Sequence, residues 1–383
     1  MFNNMRIFFD NAATTPLDNR VIERMTEIMQ NNFGNPSSIH SEGRKSRTII
    51  ENARKNIASM LSVAPGEIFF TSGGTEADNM ILNRAVHDQE IKHIITSQIE
   101  HHAVLHTVQH LEKQEGIKVS YVKIKEDGHI DLEHLEEIMR TNASGRMLVS
   151  LMHANNETGN LTDLSEVGRL CAENDALFHS DTVQTIGHIP VNPKEWGIHF
   201  MAASAHKFHG PKGTGFAYID NEVRIRPFIY GGAQERNMRG GTENIYGIAG
   251  TEKALELAVN NMEEERQKIT GIKKHFIEQL KSEYPDAQFN GDAEGQSHYT
   301  ILNVHFPGSD LGEMFLFNLD INGISASGGS ACSSGSNAGS HVLQAIYGDA
   351  RNEGASVRFS FGRFNTIEEV DKTIEEINKA CKV

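Results

Sequence analysis

The chain has 383 residues, 38% hydrophobic and 23% charged, which leaves room for a large α/β domain and a smaller one and suits a soluble globular protein. A formal net charge of −15 opposes binding to a phosphate backbone, and no window approaches eighteen consecutive apolar residues, so neither nucleic acid nor a membrane is expected as a partner. Three cysteines without framework spacing, and an N-terminus without the basic-then-apolar order of a leader, point to a reducing compartment, the cytoplasm.

Strand–turn–helix units repeat through the first two thirds of the chain. "EIFFTS" is an apolar run broken by Gly73 and Gly74, after which "TEADNMILNRAV" has helical spacing from Thr75. "HIITS" precedes "EHHAVLHTVQHLEKQEG", where Gly116 is a helix stop. "KVSYVKI" and "DLEHLEEIMR" form the next pair, then "MLVSLMHA" and the helix around "DLSEVGRLCAEN", then the strands "ALFHSD", "HFMAASAHK" and "GTGFAYI". Such alternation predicts an α/β fold, a mostly parallel sheet with helices on both faces. One long charged helix is expected over residues 243–283, leading into a smaller α/β unit with strands at "TILNVHF" and "SVRFSFG" and helices at "DLGEMFLFNLD" and "TIEEVDKTIEEINKA". The expected division is a large domain, 15–257, and a small domain, 1–14 with 258–383, that carries the Ser/Gly-rich stretch 327–340.

Ligands of open α/β sheets sit beyond the carboxyl ends of the strands, and polar residues fall there in this sequence. The Gly73–Gly74 turn opening a helix at Thr75 would present free N–H groups, a phosphate cradle by geometry, though without the glycine patterns of ATP or NAD sites. Further strand ends carry His101, Asn156, Asp181 and Gln184. Lys207 follows a strand of apolar and small residues, where a solvated loop lysine is the ordinary reading and a Schiff-base amine the sharper one. Pyridoxal phosphate needs such a lysine, an acid for its pyridine nitrogen, a phosphate cradle and a ring-stacking group, and Lys207, Asp181, Gly73–Thr75 and His101 supply these together. The histidines of "EHHAVLH" and "SAHKFHG" lack metal-ligand spacing, so no metal is expected.

Cys332 stands in an unusual setting, because ten of the fourteen residues from Ser327 to Ser340 are Ser or Gly. Buried thiols keep apolar company, and this one does not. Cys171 occupies an apolar-stripe position of "EVGRLCAEN" and reads as a core thiol, while Cys381 lies two residues from the end and receives no role.

The segments "DNAATTP", "FTSGGTEADN", "EHHAV", "NNETG", "HSDTVQ", "SAHKFHGPKG", "RGGTEN", "GSACSSGS" and "SVRFSFGRFNT" span nearly the whole chain. In this order they resemble the cysteine desulfurases of the NifS/IscS type, within the class V aminotransferase family of fold-type I pyridoxal phosphate enzymes. The resemblance implies that Lys207 holds pyridoxal 5'-phosphate, His101 stacks on its ring, Asp181 pairs with the ring nitrogen and Gln184 bonds the phenolic oxygen. Gly74, Thr75, Ser204 and His206 would hold the phosphate, joined by Thr242 from the partner subunit of a homodimer. Asn156, also beside the cofactor, and Arg358 would bind the substrate carboxylate. Lys207, His101 and Cys332 would be catalytic, converting L-cysteine to L-alanine and leaving the sulfur on Cys332 as a persulfide for a sulfur-acceptor protein in iron–sulfur cluster assembly or related transfer. The alternatives are a selenocysteine lyase or another class V aminotransferase, and a non-catalytic scaffold that keeps the fold.

Overall fold

The computed structural model describes residues 6–141, 145–308, 312–328, 339–351 and 353–381. It begins with a short strand, β1 (Ile7–Phe8), and two helices that the strand–helix rhythm does not anticipate, α1 (Asn19–Asn31) and α2 (Ser41–Met60). The alternating units come next as β2 (Ile68–Thr71), α3 (Gly74–Asp88), β3 (His93–Thr96), α4 (His102–Glu115), β4 (Lys118–Tyr121), α5 (Leu132–Arg140), β5 (Met147–Ser150) and α6 (Leu164–Glu173). Strands β6 (Leu177–Asp181), β7 (Phe200–Ser204) and β8 (Gly215–Ile219) complete a seven-stranded sheet in the order β2-β8-β7-β6-β5-β3-β4. Six strands run parallel, and β8 lies antiparallel between β2 and β7. The direction of β8 is set by its connection. Only residues 205–214 separate it from β7, too few for the crossover that a parallel neighbour requires.

Strands β2, β3, β5, β6, β7 and β8 are buried at every residue, which explains why their sequences are near-continuous apolar runs rather than alternating ones. Alternate residues still part to opposite faces. Phe69, Ile94, Leu148, Leu177 and Phe200 join the layer of α3 and α4, whereas Phe70, Ile95, Val149, Phe178 and Met201 join that of α2 and α6. Cys171, 1% exposed on α6, belongs to this second layer as the expected core thiol.

The expected long helix over 243–283 is two helices, α7 (Ile245–Asn260) and α8 (Met262–Glu283). The break comes at Asn261, whose amide Nδ2, at 2.7 Å, and backbone N–H, at 3.2 Å, both donate to the Leu257 carbonyl. Beyond α8 come β9 (Gln288–Phe289), β10 (Ile301–Phe306), α9 (Gly312–Ile321), β11 (Ile324–Ser325), α10 (His341–Tyr347), β12 (Ala355–Ser360) and α11 (Ile367–Cys381). The strands β12-β10-β9 form an antiparallel sheet, and β11 pairs in parallel with β1. Phe9, just after β1, packs against Phe361 and Phe276 in the core of this second unit. The next residues, Asp10 to Thr14, are thereby carried from that core to the ends of the large sheet's strands.

One glycine of the large unit tests the packing directly. A Cβ built on Gly168 of α6 would lie 1.8 Å from the backbone oxygen of Trp196. Helix propensity alone favours Gly168→Ala by about 1 kcal/mol. Overpacking against a backbone that cannot step aside costs more, so the variant should lose about 2 kcal/mol, read as a lower midpoint in thermal or urea unfolding. A midpoint at or above that of the parent would show that the contact yields.

Candidate active site

The carboxyl ends of β2, β3, β5, β6 and β7 converge on one cavity of about 540 Å³, a volume suited to a small cofactor with a substrate. Each strand contributes through the turn at its carboxyl end. After β2, Gly73 takes φ +149°, a conformation open to glycine and costly for other residues, and turns the chain into α3. A Cβ on Gly74 would meet Val183 Cγ2 at 2.6 Å, so only a bare backbone fits there. The first N–H groups of α3 therefore line the cavity beside Thr75, an anion site by orientation and helix dipole. Ser204, the last residue of β7, and His206 border the same corner, His206 Nδ1 lying 3.2 Å from Thr14 Oγ1.

Asp181 ends β6 at the cavity floor, where one carboxyl oxygen accepts from the Val183 N–H at 2.9 Å. Burial pushes its pKa up to about 6, while that N–H and the charge of Lys207 pull the other way. Such a carboxyl is poised for a cationic or proton-bearing partner. Lys207 ends the short turn after β7. Its Nζ donates to the carbonyls of Ala12 and, at 3.0 Å, Ala13, so the N-terminal segment aims the amine. Gln184 Nε2 donates to the same Ala12 carbonyl at 3.0 Å.

His101 caps the N-terminus of α4, its Nδ1 accepting from the Ala103 N–H at 3.1 Å. That bond assigns the ring proton to Nε2. Burial first, and then the charge of Lys207, lower the pKa of His101 to about 4, so the ring is neutral and can lie flat on an aromatic ligand. Arg358, in β12, is 2% exposed and is held by the Asn156 carbonyl at 2.7 Å and Asp10 at 2.9 Å. Its Nε is buried with no hydrogen-bond partner among the described residues. A guanidinium has five N–H donors, so capacity remains for a carboxylate.

Gly74, Thr75, His101, Asn156, Asp181, Gln184, Ser204, His206, Lys207 and Arg358 thus line one cavity, although they come from sequence positions far apart. Thr242 does not; it is exposed and lies outside that lining. Cys332 falls outside the described residues. Several neighbours escape a reading by sequence. Glu100 is buried, and its Oε1 accepts from Ser97 Oγ and the Met152 N–H, each at 3.0 Å, tying the ends of β3 and β5 together. Burial raises its pKa to about 8. Asp10, Glu157 and His341 also meet the site, and the motifs "DNAATTP" and "NNETG" and the stretch "GSHVL" contain them without marking them out.

The groups present fit pyridoxal phosphate. A cradle that a Cβ would fill, a buried carboxyl beside it and an amine aimed into the same space match its phosphate, its ring nitrogen and its aldehyde.

Residues 7–373 match the family model for class-V aminotransferases. The chain is 42% identical over 376 residues to a cysteine desulfurase IscS of Dictyoglomus turgidum, covering 97% of this chain and 94% of that one. A solved NifS-like protein superposes with a TM-score of 0.89 at 37% identity, covering 98% and 99% of the two chains. The structure of SspA in complex with cysteine superposes with a TM-score of 0.80 at 31% identity, covering 94% and 100%.

Proposed function

Because the chain belongs to the class-V aminotransferase family, we propose that it is a pyridoxal-phosphate-dependent cysteine desulfurase and that the residues of this cavity perform the reaction. The observation that carries the assignment of residues is the meeting of Lys207, Asp181 and the start of α3 in one cavity. The cofactor, when bound, supplies an aldehyde for amines and a ring that draws electrons from the amino acid's Cα.

Lys207 would hold that group through Nζ, with Asp181 at its ring nitrogen, Gln184 at its phenolic oxygen and His101 on its face. Gly74, Thr75, Ser204 and His206 would hold its phosphate. Arg358 and Asn156 orient the carboxylate of L-cysteine, the arginine being braced by Asp10 so that it does not swing. Lys207 Nζ removes the Cα proton, and His101, neutral and bearing its proton on Nε2, donates toward the reacting sulfur or carbon. The balance is L-cysteine plus the Cys332 thiol giving L-alanine plus a Cys332 persulfide, with no outside oxidant. Thr242 would complete the phosphate site of a second copy in a homodimer. Its exposure supports that reading, as does exposed Tyr230 earlier in the same stretch. The persulfide would pass to an acceptor protein of iron–sulfur cluster assembly or a related route, in the cytoplasm. Among the described residues, no helix is long and apolar enough to cross a membrane. The domain division expected from sequence, 15–257 against 1–14 with 258–383, is the reading we retain, since Phe9 packs with the second core.

Incubating the cofactor-loaded protein with L-cysteine and a thiol reductant should release alanine and sulfide in equal amounts. Alanine from selenocysteine but not from cysteine would make it a selenocysteine lyase instead.

Asp181→Asn is a sharper test of the ring contact. In the cofactor-free protein the raised pKa of Asp181 means that its contribution to stability declines as pH rises from the ordinary aspartate range through about 6. A protonated ring nitrogen offsets that cost, and asparagine cannot do so. The variant should lose turnover by about 10²-fold or more and shed cofactor on dialysis, monitored by visible absorbance. Full retention of both colour and rate would remove Asp181 from the site.

A further inference from the structure

His101 and His341 face this cavity with opposite chemistry, and the desulfurase reaction as assigned uses only the first. His101 has its Nδ1 occupied as the acceptor for Ala103, so what remains is an N–H donor at Nε2. His341, the first residue of α10, lines the same cavity, and its Nε2 lies 3.0 Å from the Glu100 carbonyl oxygen. A carbonyl only accepts, so the ring proton of His341 sits on Nε2 and is donated there. Its Nδ1 is left as a bare lone pair, buried, with no partner among the described residues.

His102 packs against His341 with ring centroids 4.4 Å apart, and His106 stacks on His102 at 4.6 Å, so the His341 ring is held by its neighbours. Burial, and the histidines around it, lower the pKa of His102 to about 4, so it remains neutral beside His341. Glu157 lines the same cavity. It is fully buried, Ser340 Oγ donates to its Oε2, and its Oε1 is unpartnered among the described residues. Burial raises its pKa, against the pull of the Ser340 bond and the charges of His341 and Arg358. Positive charge on His341 and ionisation of Glu157 therefore favour one another.

We propose that His341 is the proton acceptor of the site for thiol chemistry, working through Nδ1 with Glu157 as its counter-charge, while His101 is the donor. The inference rests on the desulfurase reading of the cavity. In the step, the S–H bond of a thiol in the cavity breaks, an Nδ1–H bond forms, and the sulfur keeps its electron pair as a thiolate, the reactive form. The proton is then available to the carbon that loses sulfur, so nothing is oxidised or reduced in this step.

The test compares His341→Gln and His341→Ala with wild type on two substrates, L-cysteine and L-cysteine sulfinate. The sulfinate has no S–H bond, and its leaving group departs without a thiol being ionised. Both variants should keep the bound cofactor's visible spectrum, lose about 10²-fold in alanine release from cysteine, and stay within about threefold of wild type on the sulfinate. Added imidazole should restore part of the cysteine activity of His341→Ala. Equal losses on the two substrates, or failure of both variants to hold cofactor, would make His341 a structural residue and overturn the proposal. Unchanged cysteine turnover would overturn it as well. A wild type that releases alanine from neither substrate would instead refute the desulfurase reading itself.

Discussion

Lys207→Ala should remove both the colour and the turnover of the cofactor-loaded protein while leaving its fold intact. The side chain is only partly buried, and its amine contacts backbone carbonyls of Ala12 and Ala13 rather than filling the core. Truncation therefore opens little cavity, and those carbonyls lie at the cavity wall, where water can reach them. What disappears is chemical. The amine that tethers the cofactor and the base that takes the Cα proton are the same atom, Nζ, and positioned proton transfer alone is worth about 10²–10⁴-fold. With both roles lost, alanine release should fall by at least about 10⁴-fold, to the floor of the assay. Visible absorbance after dialysis, alanine release and a thermal melt read the three parts separately. Alanine released at a near wild-type rate, with an unchanged melt, would show that the amine is not Lys207 and would undo the assignment of the whole cavity.

The strand order around Lys207 is only partly legible in the sequence, and the reason is physical. Strands buried on both faces appear as short apolar runs, and "HIITS", "MLVSLMHA" and "ALFHSD" are distinct for that reason. Direction leaves no such trace. "GTGFAYI" reads like its neighbours, and only the brevity of residues 205–214 makes β8 antiparallel. The break at Asn261 is equally quiet, because neither glycine nor proline marks it.

The site obeys the same rule. Residues whose type is odd for their place stand out, such as a lysine after "MAASAH" or glycines before a helix. Residues that hold others in place do not. Glu100 resembles any acid near a helix start, yet its carboxyl joins two strand ends and its carbonyl sets the tautomer of His341. Asp10 looks like a turn residue, yet it braces Arg358 across 348 positions of sequence. Long-range pairing of this kind is written in the fold and not in local spacing.

Cys332→Ser should separate binding from chemistry. Every cofactor contact proposed above is made by another residue, so the variant should hold cofactor and show the wild-type spectrum. L-Cysteine should still bind and perturb that spectrum, because Lys207, Asn156 and Arg358 are untouched. Sulfur transfer should fail, since a serine hydroxyl attacks sulfur poorly and cannot store it as a persulfide. Alanine release in the presence of a reductant should therefore drop by about 10³-fold or more at normal substrate affinity, a loss confined to the chemical step. Cys171 is a weak substitute. Burial pushes the Cys171 thiol far above its ordinary range, and at 1% exposure it can neither ionise readily nor reach a ligand. Cys381 is controlled by its own serine variant, which should behave as wild type. Wild type treated with L-cysteine should then gain a single sulfur, about 32 Da, on the peptide that holds Cys332 and none on that of Cys171. The same mass on the Cys381 peptide, or full turnover in Cys332→Ser, would move the sulfur chemistry away from the Ser/Gly-rich stretch. That stretch would then be a linker whose cysteine has no part in catalysis.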